Sequence, residues 1–187
     1  MGFTDWASQR ADRAARLAPL WACVASLGLT ATVAADAGNV RCTTTENGAP
    51  SQGSIVMTRA SQKEVAGPCG TVISLAPGTW RATLRLDGVL DNPSTSRDVE
   101  VVAGKTAAVV VDFQTGVLEV RIEGNVGSGT GMVTVNRGRT RIGTLGAGVA
   151  ARLSAGKYEV VVRYEGKERR YQVSLRPGQR RMLRAQF

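Results

Sequence analysis

Residues Ser74–Gly88, SLAPGTWRATLRLDG, recur in altered form as Arg152–Gly166, RLSAGKYEVVVRYEG, 78 residues further along the chain. Four positions are identical between the two stretches from Leu75 and Leu153 onward, where average composition would give about one by chance. The same offset continues upstream and pairs mainly apolar residues. The repeat therefore predicts two small domains in tandem, residues 38–115 and 116–187.

Downstream of this stretch the offset between the two copies falls to 74, so that Phe113 aligns with Phe187. The first copy must therefore contain four additional residues. Leu90–Ser96 (LDNPSTS) is rich in turn-forming residues, and a hairpin tip accommodates extra length at small entropic cost. We expect the insertion there.

Alternation of apolar and polar residues dominates both copies. Tyr158, Val160 and Val162 alternate with polar residues, as a half-buried antiparallel strand requires, and Trp80, Ala82 and Leu84 do the same. About seven short strands per copy, separated by glycine and proline turns, predict an all-β fold. The expected architecture is two tandem immunoglobulin-like or transthyretin-like β-sandwiches.

Both copies share one order of leucine, glycine, aromatic and β-strand residues. In the second copy this order is Leu153, Gly156, Tyr158, Val160, Val162, Gly166, Val173, Leu175 and Gly178, and in the first it is Leu75, Gly78, Trp80, Ala82, Leu84, Gly88, Val101 and Gly104. The order resembles the carboxypeptidase regulatory-like and PEGA-type bacterial β-sandwich domains. The Pro-Glu-Gly-Ala signature itself is replaced by Gly124–Gly131, GNVGSGTG. The resemblance implies noncatalytic modules of envelope or surface proteins.

The N-terminal residues 1–37 have the layout of a bacterial export signal. Leu17–Ala35 is uncharged and mostly apolar, follows three arginines, and leads to an A-x-A cleavage site before Gly38. The run is also close to the length that spans a bilayer, so an uncleaved membrane anchor remains an alternative. In either case the repeats lie outside the inner membrane.

Cys42 and Cys69 correspond to the apolar residues Val120 and Ala147 of the second copy. Positions that are apolar in one copy and cysteine in the other are expected to be buried near each other. In an exported chain this predicts a disulfide, with two unrelated buried thiols as the alternative.

The chain contains no histidine, so neither a Ser-His-Asp nor a Cys-His pair can form. Two cysteines without histidine are also a poor zinc site. The glycine-rich Gly124–Gly131 lacks the lysine of a phosphate-binding loop. The sequence predicts no enzyme activity, no metal and no cofactor.

Charge divides unevenly between the two domains. Residues 38–115 hold seven basic and seven acidic residues, whereas residues 116–187 hold fourteen basic and five acidic residues. Arginine suits carboxylate and phosphate groups, so this excess predicts an anion-binding surface. The alternative is that basic side chains protect exposed strand edges. The candidate residues are Arg137, Arg139 and Arg141, expected as one row around one turn, Lys167, Arg169 and Arg170 at another turn, and Arg180, Arg181 and Arg184 on the last strand.

These patterns predict a periplasmic or envelope-associated binding or structural protein, whose second domain docks on an acidic protein or an anionic envelope polymer. A membrane contact is open through the N-terminal segment. Nucleic acid is disfavoured as a partner because exposed aromatic residues for base stacking are few. The alternative function is an accessory subunit of a larger envelope complex, recognised through strand edges.

Overall fold

The computed structural model describes residues 36–124 and 131–187, which lie within one compact unit, Ala34–Phe187. The predicted signal or anchor segment, up to residue 35, and residues 125–130 of the glycine-rich stretch lie outside these described residues. Among the described residues, no helix has the length and apolar character needed to cross a membrane.

The first sandwich packs two four-stranded sheets against each other. In one sheet β1 pairs antiparallel with β2 and β5 and parallel with β8; the other has the order β4-β3-β6-β7 and is entirely antiparallel. The strands are β1 Gly38–Glu46, β2 Ala49–Ser51, β3 Gly53–Thr58, β4 Val65–Pro68, β5 Val72–Leu75, β6 Gly78–Leu86, β7 Ser94–Val101 and β8 Thr106–Phe113.

Within the described residues the second sandwich repeats this arrangement; residues 127–129, which align with β2 in the repeat, lie outside the described ranges. One sheet has the order β12-β9-β15, with β15 parallel to β9, and the other has the order β11-β10-β13-β14. The strands are β9 Thr115–Glu123, β10 Met132–Arg137, β11 Thr140–Gly146, β12 Ala150–Ser154, β13 Gly156–Tyr164, β14 Lys167–Leu175 and β15 Arg180–Gln186. Strands β6 and β13 begin and end 78 residues apart, as the repeat predicts.

Each sandwich has its own hydrophobic core, formed by the alternate residues of its strands. Trp80 in β6 and Tyr158 in β13 are almost completely buried, so their predicted placement at corresponding core positions is confirmed. The polar group of each aromatic side chain donates a hydrogen bond to a nearby backbone carbonyl. The Trp80 indole N–H donates to the Ala76 carbonyl at 2.9 Å, and the Tyr158 hydroxyl donates to the Ser154 carbonyl at 2.6 Å. The all-β sandwich prediction is confirmed.

The predicted disulfide between Cys42 and Cys69 is confirmed. Cys42 lies on β1, Cys69 follows β4, and their Cα atoms are 4.8 Å apart. The backbone around the bond is the same in both copies. Gly70 donates its N–H to the Cys42 carbonyl at 2.8 Å, and Gly148 donates to the Val120 carbonyl at 2.7 Å. At the equivalent positions of the second sandwich, Val120 and Ala147 belong to the apolar core. The disulfide of the first sandwich thus takes the place of apolar packing in the second.

The hairpins that follow β6 and β13 differ in length, as the change of offset predicts. In the second sandwich the turn consists of Glu165 and Gly166 alone, both with positive φ, which is the geometry of a tight two-residue hairpin. In the first sandwich the tip comprises residues 87–93. The expected stretch Leu90–Ser96 is only partly tip, because Ser94 already begins β7.

Candidate functional site

Arg137, Arg139 and Arg141 do not form the single row expected from their spacing. Arg137 ends β10 and pairs with Thr140 at the start of β11, so a hairpin turn containing Arg139 separates the arginines. A bulge between Val135 and Asn136 further shifts the register. Alternate residues share a face only within one continuous strand, and the turn interrupts that alternation.

The Arg137 side chain lies at the junction between the two sandwiches. Its guanidinium lies 4.8 Å from the centroid of the Tyr158 ring, and its Nη2 donates to the Tyr158 hydroxyl at 2.6 Å. Its Nη1 is 3.5 Å from Oδ2 of Asp91, a carboxylate of the first sandwich that is only 3% exposed. Arg137 therefore already has an internal anionic partner.

The three basic residues near the β13–β14 hairpin lie on strand β14 rather than in the turn. Lys167 pairs with Tyr164 across the hairpin, and Arg169 and Arg170 follow on the strand. Arg170 is ion-paired with Glu168 at 2.7 Å and with Glu159 at 3.4 Å. Lys167 and Arg169 are exposed and have no carboxylate partner among the described residues.

Arg180, Arg181 and Arg184 lie on the last strand, β15, where they were expected. Arg180 is 2.8 Å from Glu119, and Arg184 is 3.1 Å from Glu123. Hydrogen bonds from Arg180 and then Arg121 lower the pKa of Glu119 below its usual value of 4.5. Arg181 donates to the Ser174 carbonyl at 3.3 Å and has no carboxylate partner among the described residues.

The predicted basic set therefore divides into two classes. Four members are ion-paired within the chain, namely Arg137, Arg170, Arg180 and Arg184. The other five have no carboxylate partner in the described part of the chain: Arg139, Arg141, Lys167, Arg169 and Arg181. Lys157 and Arg176 belong to the second class as well, and the sequence analysis missed them because neither lies in a run of basic residues.

Arg152 was also missed, and its side chain connects the two sandwiches. Its Nη1 is 2.6 Å from Oε2 of Glu46, at the end of β1. Its Nη2 donates to the Asp87 carbonyl at 2.9 Å, and its Nε donates to the Gly88 carbonyl at 3.3 Å. Each nitrogen of the guanidinium thus contacts the first sandwich.

Asp91 provides a second polar connection, from the long hairpin tip of the first sandwich. Its Oδ1 accepts a hydrogen bond from the Ser154 N–H at 3.0 Å, and its Oδ2 lies 3.3 Å from the Tyr158 hydroxyl. Burial and the nearby Asp91 charge raise the pKa of Tyr158 to about 12, so the hydroxyl keeps its proton at neutral pH.

An arginine also covers the aromatic residue in the first sandwich. Arg59 is 5.9 Å from the Trp80 ring centroid and donates to the Pro77 carbonyl at 2.9 Å, as Arg137 does to the Ala155 carbonyl at 3.4 Å. The arginine–aromatic pair is therefore a feature of the repeat, and in the second sandwich the pair gains an additional partner, the Asp91 carboxylate of the first sandwich.

Two open clefts share Arg152 in their lining. One, of about 600 Å³, is lined by residues of both sandwiches, including Gln52, Asp87 and Arg152. The other, of about 570 Å³, includes Val89, Leu145 and Val149 in its lining. In the described ranges no group of three or more cysteine or acidic residues is placed to hold a metal ion.

No family profile and no curated protein matches the chain. Among solved structures, the Bacillus anthracis TIE protein is 14% identical with a TM-score of 0.39, over 81% of this chain and 34% of that chain. A leucine-rich repeat protein from Bacteroides thetaiotaomicron is 17% identical with a TM-score of 0.31, over 81% of this chain and 26% of that one. A Bacteroides ovatus protein described as a candidate adhesin is 6% identical with a TM-score of 0.42, over 81% and 92%. The chain thus spans about a third or less of the first two, and TM-scores this low establish neither shared function nor family membership.

Proposed function

We propose that this protein is an exported, noncatalytic binding module whose second sandwich docks on an anionic partner of the cell envelope, either an acidic protein or an anionic polymer. The observation that carries the proposal is the class of basic residues without carboxylate partners. Six of them, Arg139, Arg141, Lys157, Lys167, Arg169 and Arg176, are exposed on the second sandwich. Basic and acidic residues are balanced in the first.

The disulfide supports the exported location. Bonds of this kind persist in the periplasm and outside cells and are rare in the cytosol, where thiols are kept reduced. Cys42 is almost fully buried and bonded to Cys69 inside the first core, which is a structural rather than a redox-active setting. The resemblance to carboxypeptidase regulatory-like and PEGA-type domains remains a prediction that agrees with this proposal.

The paired and unpaired classes make the electrostatic proposal testable. The test variant replaces Arg139, Arg141, Lys167 and Arg169 with Ser. The matched control replaces Arg41, Lys63, Arg85 and Lys105 of the first sandwich, which removes the same total charge and breaks no ion pair given by the structure. Both are measured by cosedimentation with an isolated bacterial envelope fraction, at low and high salt.

Each surface cation near an anionic surface contributes about 1 kcal/mol, so the test variant should lose more than about tenfold in apparent affinity at low salt. The control should retain most of the binding, and high salt should weaken binding of the unmodified protein. Equal losses in both variants would show that only total charge matters. Binding unaffected by either variant or by salt would favour docking through a strand edge.

A further inference from the structure

We infer that the long hairpin tip of the first sandwich, residues 87–93, is a docking arm that makes the two sandwiches unfold as one cooperative unit. We call it the arm, and we call the surface of the second sandwich that receives it the socket. This role lies outside the proposed anion binding and rests on separate residues.

The apolar part of the contact is Leu90, which packs against the hydrophobic core of the second sandwich. Its Cδ1 atom lies only 2.7 Å from the position that a Cβ atom would occupy at Gly143. A larger residue at position 143 would therefore require the Leu90 side chain to move. The Leu90 N–H also donates to the Arg152 carbonyl at 2.9 Å, which ties the arm to the backbone of the second sandwich.

The polar part is Asp91, which is almost fully buried and whose partners in the second sandwich are the Ser154 N–H, the Tyr158 hydroxyl and the Arg137 guanidinium. A buried carboxylate without partners is strongly unfavourable, so Asp91 strongly favours the docked arrangement. Separating the sandwiches would expose Leu90 and rehydrate Asp91 together.

The internal repeat shows that arm and socket each occur once, as a matched pair. The second copy has only the two-residue turn Glu165–Gly166 where the arm would be. The first copy has Val65 at the position of Gly143, Ala76 at the position of Ser154 and Trp80 at the position of Tyr158. The first sandwich therefore has the arm without the socket, and the second has the socket without the arm.

A second set of contacts strengthens the junction beside the arm. Glu46 binds Arg152 and accepts a hydrogen bond from the Thr115 hydroxyl. The Asn47 side chain accepts from the Thr115 N–H at 3.0 Å and donates to the Thr115 carbonyl at 3.1 Å. Because the arm and these contacts flank Arg152, the two sandwiches are held at more than one point.

The aromatic residues allow the two sandwiches to be followed separately. All three tyrosines of the chain lie in the second sandwich, and Trp80 is the tryptophan of the first. In the full chain carrying Trp6→Phe and Trp21→Phe, tryptophan fluorescence reports only the first sandwich. Near-ultraviolet circular dichroism in the tyrosine bands then reports the second, after subtraction of the Trp80 and disulfide contributions, which follow the tryptophan fluorescence transition. Urea unfolding is followed by both signals.

Leu84→Ala, a large-to-small change in the core of the first sandwich, provides the perturbation. With the arm intact, both midpoints should fall together. When Asp91→Ala is added, the tryptophan midpoint should fall further. The tyrosine midpoint should then be the same with or without Leu84→Ala, so that the two midpoints differ by more than about 0.5 M urea. Asp87→Ala, on the same tip but with an exposed side chain, is the matched control and should leave the midpoints coincident.

Two results would overturn the inference: a tyrosine midpoint unmoved by Leu84→Ala while the arm is intact, or midpoints that stay coupled after Asp91→Ala. If Leu84→Ala prevents folding, Ile55→Val supplies a milder change in the same core. None of these substitutions replaces a basic residue. A failure of this inference can therefore be distinguished from a failure of the proposed anion binding.

Discussion

Glu119 is a single carboxylate that makes the stability of the second sandwich depend on pH. It is almost fully buried on β9 between Arg121 and Arg180, each 2.8 Å away. Its pKa is lowered in the folded state, so the unfolded chain binds more protons in acid. The stability that Glu119 contributes is therefore complete above its unfolded pKa of 4.5 and is lost as the pH falls through the lower folded value.

We expect Glu119→Gln to reduce the free energy of unfolding at neutral pH and to flatten its dependence on pH in the acid range. The measurement is urea unfolding between about pH 3 and pH 7. Glu165→Gln is the matched control, because Glu165 is exposed in a turn and has no ion pair in the described residues. Parallel pH profiles for Glu119→Gln and the unmodified protein would contradict the assignment.

Residue identity predicted burial better than it predicted charge pairing. Trp80 and Tyr158 could be placed in the cores because alternation fixes which side of a strand is buried. The partner of Arg137 could not be predicted, because Asp91 is 46 positions away and reaches it only through the packing of two domains. Ion pairs of this kind depend on tertiary geometry that leaves no local pattern.

At the scale of elements, strand β1 is held by more than its sheet. The disulfide joins it to the segment after β4, and its last residue, Glu46, binds Arg152 of the second sandwich. Closing a loop of 27 residues contributes roughly 3 kcal/mol in the chain-entropy description. That is a large share of the stability of so small a domain.

We therefore expect the double variant Cys42→Val and Cys69→Ala, which copies the residues of the second sandwich, to lower the unfolding free energy of the first sandwich by up to about 3 kcal/mol. Thermal and urea unfolding with and without a reductant provide the measurement. The reductant should affect the unmodified protein and leave the variant unchanged. A variant as stable as the oxidised protein would show that apolar packing replaces the bond fully.

For the hairpin that follows β6, the sequence predicted the length of the insertion but not its contacts. The change of offset from 78 to 74 correctly predicted four extra residues in this hairpin, because a repeat makes insertions visible, but the expected stretch Leu90–Ser96 extends into β7. Its docking role was not predicted, since a turn-rich sequence is typical of any exposed tip. The replacement of Val65 by Gly143 between the copies was the available signal: a glycine in the middle of a strand indicates close approach by another part of the chain.

At the scale of the whole molecule, the two sandwiches differ in what they can attract. The first is electrically balanced, while the second has nine more basic than acidic residues. Only the second generates a long-range field toward anions, over a Debye length of about 8 Å at physiological salt. Joining the sandwiches through buried contacts rather than a flexible linker would fix the orientation of that charged surface relative to the rest of the chain.

Export would place the two sandwiches in a compartment where the Cys42–Cys69 bond can form and persist. The arginines before Leu17, the apolar run and the small-residue site occur in the order that export machinery recognises, so the mature chain should begin near Gly38. N-terminal sequencing of the native protein and thiol alkylation in each cell fraction would measure both processing and the Cys42–Cys69 bond. An intact N-terminus in the membrane fraction, with the bond formed, would establish an anchor. An intact N-terminus in the cytoplasm, with both thiols free, would contradict export, because cytosolic thiols are kept reduced. The first sandwich would then have to fold without the Cys42–Cys69 bond.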